Sequence, residues 1–206
     1  MNDRYMEFTH SSFGKTLAGM LGLPTPPSLR RADAAWAARP LDERNVLLGA
    51  ASGSALSVPL ITALHVAGAS LRIIPEHPGL AVLKPVAAKL GIKLASNPVG
   101  EASGARNHAL VFDASGLASV AQMRELYDFF QPVVRGVASN GRVVILVRAP
   151  ESRETPAQRA VSAALRGFVR SLAKEVGKNG ATANLLEVQT GADDLLDAPL
   201  RFFLSE

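Results

Sequence analysis

Residues 140–188 read NGRVVILVRAPESRETPAQRAVSAALRGFVRSLAKEVGKNGATANLLEV, and this stretch decides the fold. Val143-Val144-Ile145-Leu146-Val147 is a short apolar run rich in β-branched residues, entered through the turn signal Asn140-Gly141. That is how a strand buried on both faces is written. A helix with explicit ends follows. Thr155 supplies a cap, Pro156 stands where a missing N–H costs nothing, Gln158 can reach back to the cap, and Gly177 closes the far end. Between them Val161, Ala164, Leu165, Phe168, Val169, Leu172 and Val176 make one apolar face, while Ser162, Arg166, Arg170 and Lys174 recur at i+4 on the other. A second strand from Thr182 to Val188 completes half of a nucleotide-binding α/β sheet.

The upstream chain supplies the other half. Asn45 to Pro75 reads as strand, helix and strand, with the helix running through Leu60, Ala63, Leu64 and Val66. Gly49, Ser52, Gly53 and Ala55 lie in the loop between the first strand and the helix, and are the candidate cofactor-binding residues. Glycines there permit a tight turn and a close backbone approach to phosphates at the helix N-terminus. Pro75, Pro78 and Pro85 then predict a broken helix with one short piece at 86–90, followed by a strand from Ile92 to Ala95. The 97–106 segment, NPVGEASGAR, is expected to carry no crossover helix before the strand His108–Phe112. Ser119 and Gln122 have capping-box spacing for a helix presenting Val120, Met123, Leu126, Phe130 and Val133 on one side, with a kink at Pro132. Phe129 and Phe130 are read as core or interface residues. At the N-terminus Ser11 or Ser12 caps a short amphipathic helix through Phe13, Leu17 and Leu21, which Gly22 ends before a proline-rich loop at 25–27. Trp36 is read as a packing anchor.

Composition excludes several classes of function. With 206 residues, 48% hydrophobic and 19% charged, the chain suits one domain with a substantial core. It contains no cysteine, which removes disulfides and thiol chemistry. His10, His65, His77 and His108 lack metal-ligand spacing, so no metal is expected, and Asp193-Asp194 is read as facing water. The start MNDRYMEFTH lacks the apolar core a signal peptide needs, and no apolar run reaches the ~18 residues of a membrane span. A cytoplasmic protein without membrane contact is expected. The net charge of +4 is dispersed, without dense basic runs or interleaved aromatics, so no nucleic-acid partner is expected.

GRVVILV followed by AALRGFVRSLAKEVGKNGATANLL resembles the second half of a short-chain dehydrogenase/reductase. The resemblance implies a catalytic Ser, Tyr and Lys; aligning on SLAKE puts Gln158 and Ser162 at the Tyr and Lys positions, and aligning GRV with the family's GRI without a gap puts Arg148 at the Ser position. In that family a phenol protonates the substrate oxygen as hydride arrives, helped by a lysine that lowers its pKa. Gln has no such proton and Ser no such charge, so no catalytic residue is assigned. The family's loop pattern also changes here: Leu48 stands for its Thr, Ala55 for its last Gly, and Asp113-Ala114-Ser115-Gly116 for its Asn-Ala-Gly turn.

More narrowly, LGLPTPPSLRR, VFDASGL, YDFFQPVVRGVASNGRVV and LRFFLS look like the N-terminal domain of high-molecular-weight 3-oxoacyl-[acyl-carrier-protein] reductases. That resemblance implies a Rossmann-like or flavodoxin-like three-layer sandwich at 45–206 behind a helical arm at 1–44, with the catalytic domain absent from this chain. A non-catalytic assembly role in fatty-acid synthesis follows, with NADPH serving the companion domain and no cofactor bound here. Phe130, Leu165, Phe168 and Leu172 are the candidate interface with a reductase domain or a second copy, and acyl carrier protein is a further candidate partner. Two alternatives stay open: an active NADPH-dependent reductase with a rearranged site, or a nucleotide-binding sensor without turnover. Without the family's final strand, Thr182–Val188 should be a sheet edge covered by another chain or by the tail, DAPLRFFLSE.

Overall fold

The computed structural model describes residues 4–23, 25, 27–30, 37–97, 106–150 and 155–205. Trp36, most of the 97–106 crossover and Glu206 lie outside the described residues. Among the described residues the sheet has six strands: β1 (Asn45–Ala50), β2 (Ser70–Ile73), β3 (Ala95–Ser96), β4 (Asn107–Asp113), β5 (Val137–Arg148) and β6 (Thr182–Val188). All are parallel, in the order β3-β2-β1-β4-β5-β6. This is the Rossmann order, and it decides between the Rossmann-like and flavodoxin-like expectations. The order reverses between β1 and β4, whose C-terminal ends therefore flank the crevice.

The helices are α1 (Arg4–His10), α2 (Ser12–Met20), α3 (Ser57–Val66), α4 (Leu80–Leu90), α5 (Met123–Phe130), α6 (Pro156–Gly177) and α7 (Asp197–Leu204). Alternation along the central strands sorts the core into two layers. Ala109 and Val111 of β4, with Val144 and Leu146 of β5, face the side covered by Leu60 and Leu64 of α3, Leu83 of α4 and Leu200 of α7. Leu110, Phe112, Val143 and Ile145 face Leu126 and Phe129 of α5 and Val161, Leu165 and Val169 of α6. Two covered faces explain why β4 is buried along its whole length.

The helix read most fully from sequence forms as expected. Thr155 and Gln158 make a reciprocal capping box at the start of α6, and Val161, Leu165, Val169, Leu172 and Val176 are buried. Ala164, expected on that face, is exposed because it sits at its margin. Pro85 does not break the second helix, and α4 runs unbroken across it. Pro85 and Ala81 are both exposed, so the Ala81 carbonyl that loses its intrahelical partner faces water. The third strand is shorter and later than expected, pairing only Ala95 and Ser96 with β2. Gln122 receives the Ala118 and Ser119 N–H groups at 2.9 and 3.0 Å, but α5 starts at Met123, three residues after the expected start, leaving Val120 exposed ahead of it. Pro132 follows the end of α5 instead of kinking it.

Ser11 caps α2, accepting from the Gly14 N–H at 3.0 Å. The preceding α1 was not foreseen. Residues 28–30 are pinned to the sheet by one side chain: the Asn140 amide donates to Ser28 O at 2.9 Å and accepts from Arg30 N at 3.3 Å. Asn140 sits at φ 58° and is buried. β6 has no strand on its outer side among the described residues. The tail does not cover it: α7 packs on α3, and its end is held by His108 Nε2 at Leu204 O (2.8 Å) and by Arg142 Nε at Ser205 O (3.1 Å).

Candidate functional site

The crevice beyond β1 and β4 is where a sheet of this order places a ligand. Here the chain's own groups fill it. Asp113 ends β4, fully buried, and its backbone carbonyl accepts from Ala51 N (2.8 Å) and Ser54 Oγ (2.7 Å) of the β1–α3 loop. Its side chain reaches the start of α3, where Oδ2 accepts from Leu56 N at 3.1 Å and from Ser57 Oγ at 3.0 Å. Oδ1 accepts from Ser115 N (3.0 Å) and Ser115 Oγ (2.6 Å). Ser115 Oγ in turn accepts from Ala55 N at 2.9 Å. Burial away from water pushes the Asp113 carboxyl pKa up, and the hydrogen bonds from Ser115, Ser57 and Leu56 oppose that rise only partly.

Gly116 brings the two loops into direct contact. A Cβ there would lie 2.4 Å from Ser52 O and 2.6 Å from Ser54 N, so only glycine lets the backbones meet. On the other side Glu125 of α5 reaches the glycine loop, its Oε2 accepting from Ser52 N at 2.6 Å. His77, in the β2–α4 loop, accepts from Gly79 N through Nδ1 at 3.0 Å. That leaves the proton on Nε2, which donates to Glu125 O at 2.9 Å. The imidazole also stands edge-on to Phe112 and Phe129, at 6.0 and 5.7 Å. His77 and Glu125 thus join the β2–α4 loop, the β1–α3 loop and α5.

Ser52, Gly53 and Ala55 do sit together in the loop, but two of their backbone donors are already engaged within the chain. Ser52 N is taken by Glu125 and Ala55 N by Ser115, while Gly53 makes the turn with φ 76°. Gly49 is not in the loop at all. It lies within β1 under the rings of Phe129 and Phe112, which a Cβ would meet at 2.4 and 2.6 Å.

The positions aligned with a catalytic triad are also occupied by structural bonds. Gln158 Oε1 accepts from Thr155 N at 2.9 Å and Thr155 Oγ1 at 3.0 Å, locking it as a helix cap. Ser162 lies one turn further along, half-buried. Arg148 at the end of β5 forms a two-pronged ion pair with Asp193, Nη2 to Oδ2 at 2.9 Å. Asp193 therefore does not simply face water, and the Arg148 hydrogen bonds hold its pKa down. Among the described residues no group of His, Asp and Glu is placed to hold a metal, and no helix is long and apolar enough to cross a membrane.

Three of the four candidate interface residues belong to the core. Phe130, Leu165 and Leu172 are buried against the sheet, and only Phe168, whose ring centroid is 5.3 Å from that of Phe130, keeps part of its surface. The apolar face of α6 is consumed within the chain. The residues that close the crevice were missed in the sequence, except that Asp113-Ala114-Ser115-Gly116 stood out as a changed turn. Glu125 gave no signal, since its role depends on α5 lying beside the glycine loop.

No protein-family model and no curated protein matches the sequence. Solved structures match the fold. A short-chain dehydrogenase/reductase from Serratia marcescens superposes with a TM-score of 0.56 at 11% identity, covering 81% of this chain and 92% of that one. A dehydrogenase/reductase from Sinorhizobium meliloti 1021 gives 0.58 at 12% identity over 82% and 90%. FabI from Alistipes finegoldii gives 0.58 at 10% identity over 82% and 86%. The chain has the Rossmann-like three-layer α/β fold of its short-chain dehydrogenase/reductase neighbours, and identities this low speak for the fold alone.

Proposed function

We propose that this chain is a non-catalytic assembly domain of a 3-oxoacyl-[acyl-carrier-protein] reductase, acting beside a companion domain that performs the NADPH-dependent reduction in the cytoplasm. Residues 1–44 are the arm and 45–206 the degenerate domain in this reading. One observation carries it: where a proton-donating phenol would stand, the Gln158 amide is tied into the cap of α6. A carbonyl gaining hydride needs an acid poised near neutrality, and an amide is not one. The position aligned with lysine holds Ser162, which brings no charge, and Arg148 is engaged by Asp193.

The test has two arms. Purified chain mixed with NADPH and an acetoacetyl thioester should consume no nicotinamide above background, and turnover approaching about 1 per second would sink the reading. A reductase domain bearing the Tyr-x-x-x-Lys pair, on the same or another polypeptide, should co-purify with the chain, and its failure to bind would remove the assembly role. Calorimetric titration with NADP addresses the sensor alternative, for which saturable micromolar heat is required.

A further inference from the structure

We propose that Asp113 and Ser115 form a built-in clasp that takes the place of a nucleotide phosphate, joining the two halves of the sheet at the point where strand order reverses. This goes beyond the assembly role and needs no partner to be true.

In dinucleotide-binding sheets an anion at the start of the first helix bridges the loop after β1 and the chain after β4, using backbone N–H groups as donors. The present chain places its own carboxyl group at those donors. Leu56 N and Ser57 Oγ meet one oxygen at 3.1 and 3.0 Å, and Ser115 N and Oγ meet the other at 3.0 and 2.6 Å. Ala55 N is taken by the Ser115 hydroxyl at 2.9 Å. Every one of these donors is neutral. That is the chemistry of an oxyanion seat, in which backbone amides and hydroxyls surround the charge in place of a cation. The Gly116 backbone then closes the slot from above, against Ser52 and Ser54.

A carboxyl that merely satisfied its own turn would need only the Ser115 contacts. Asp113 instead spans two loops from opposite halves of the sheet, and its removal leaves a vacated seat lined by donors. The clasp therefore predicts a gain of anion response on mutation, which simple loss of a hydrogen bond does not.

The experiment uses the full chain and reads melting temperature with and without pyrophosphate at constant ionic strength. Wild type should not respond. Asp113→Ala should melt lower and recover by about 5 °C at saturating pyrophosphate, as binding to the folded state alone requires. Asp113→Asn, which keeps an acceptor in place, should show neither the full loss nor the recovery. If Asp113→Ala fails to fold, Ser115→Ala decides by hydrogen exchange: the Ala55 amide should exchange about tenfold faster once its acceptor is gone, and pyrophosphate should not slow it, because Asp113 still holds the seat. An Asp113→Ala melt indifferent to pyrophosphate, a wild-type melt that rises as much as the variant's, or an Ala55 amide unchanged in Ser115→Ala would overturn the clasp. None of these outcomes bears on whether a reductase domain binds, so the two proposals fail separately.

Discussion

The ends of β1 and β4 and the ends of β5 and β6 are both tied off, but by different physics. At β1/β4 the closure is buried: neutral donors surround the Asp113 carboxyl, Gly116 packs on the opposite loop, and Phe112, Phe129 and His77 fill the space beneath. At β5/β6 it is an ion pair, with 29% of the Arg148 side chain and 36% of Asp193 exposed. Water already competes for the second, whereas the Asp113 carboxyl at the heart of the first is shielded from it. The buried closure should therefore dominate stability, while the exposed one should be nearly expendable. Sheets of this order bind ligands outside the strand ends where the order reverses, and the tighter closure lies at that point.

The contrast breaks first at the aromatic support. Phe129→Ala removes a fully buried ring whose neighbours, Phe130 and Phe112, have centroids at 4.9 and 5.1 Å, and should cost about 3–5 kcal/mol in urea unfolding. A loss below about 1 kcal/mol would mean the pocket collapses easily, contrary to the packing described. Gly116→Ala should cost about 1–3 kcal/mol, because the new methyl meets backbone atoms that cannot swing away.

Asp113 gives the contrast a pH signature. Its folded pKa lies above the ordinary value of 3.8, so its stabilising contribution is complete below that value and is lost as pH rises through the folded pKa. Asp113→Asn removes this slope, and melting curves from acid to neutral pH should show wild type losing ground to the variant. A wild type that gains on the variant over that range would reverse the sign. At the other closure, Arg148→Ala should change stability by under about 1 kcal/mol, because solvent screens the pair. The smallest effect is expected at the three positions aligned with a catalytic triad. Installing the Ser, Tyr and Lys of the reductases that the sequence resembles, as Arg148→Ser, Gln158→Tyr and Ser162→Lys, should yield no NADPH oxidation, because the slot between Gly116 and Ser52–Ser54 stays shut. Measurable turnover in that triple variant would show that the closure opens.

The parts legible in the sequence were those governed by local rules. Thr155, Pro156 and Gln158 announced the start of α6, and the β-branched run Val143–Val147 announced β5, because capping and burial patterns act over a few residues. Pro85 misled because a helix tolerates a proline when the orphaned carbonyl is wet, and which face is wet is settled by tertiary packing. The candidate interface failed for the same reason: an apolar stripe on α6 does not say whether a sheet or a partner will cover it. The closed crevice was the least legible feature. Asp113 and Leu56 lie on different strands' loops, and only the parallel register that pairs Ala50 with Asp113 brings them together.

The register at the centre of the sheet also sets an order of assembly. Val46 of β1 pairs with Ala109 of β4, and every strand between them in the chain lies further out on the other side. During synthesis β1, α3 and β2 emerge before the neighbour that completes the middle of the sheet, so pairing at the centre has to wait for β4. Until then the apolar side chains of β1 and β2 have only the helices of their own half to cover them, so mutations there should tell on nascent-chain lifetime as well as on native stability.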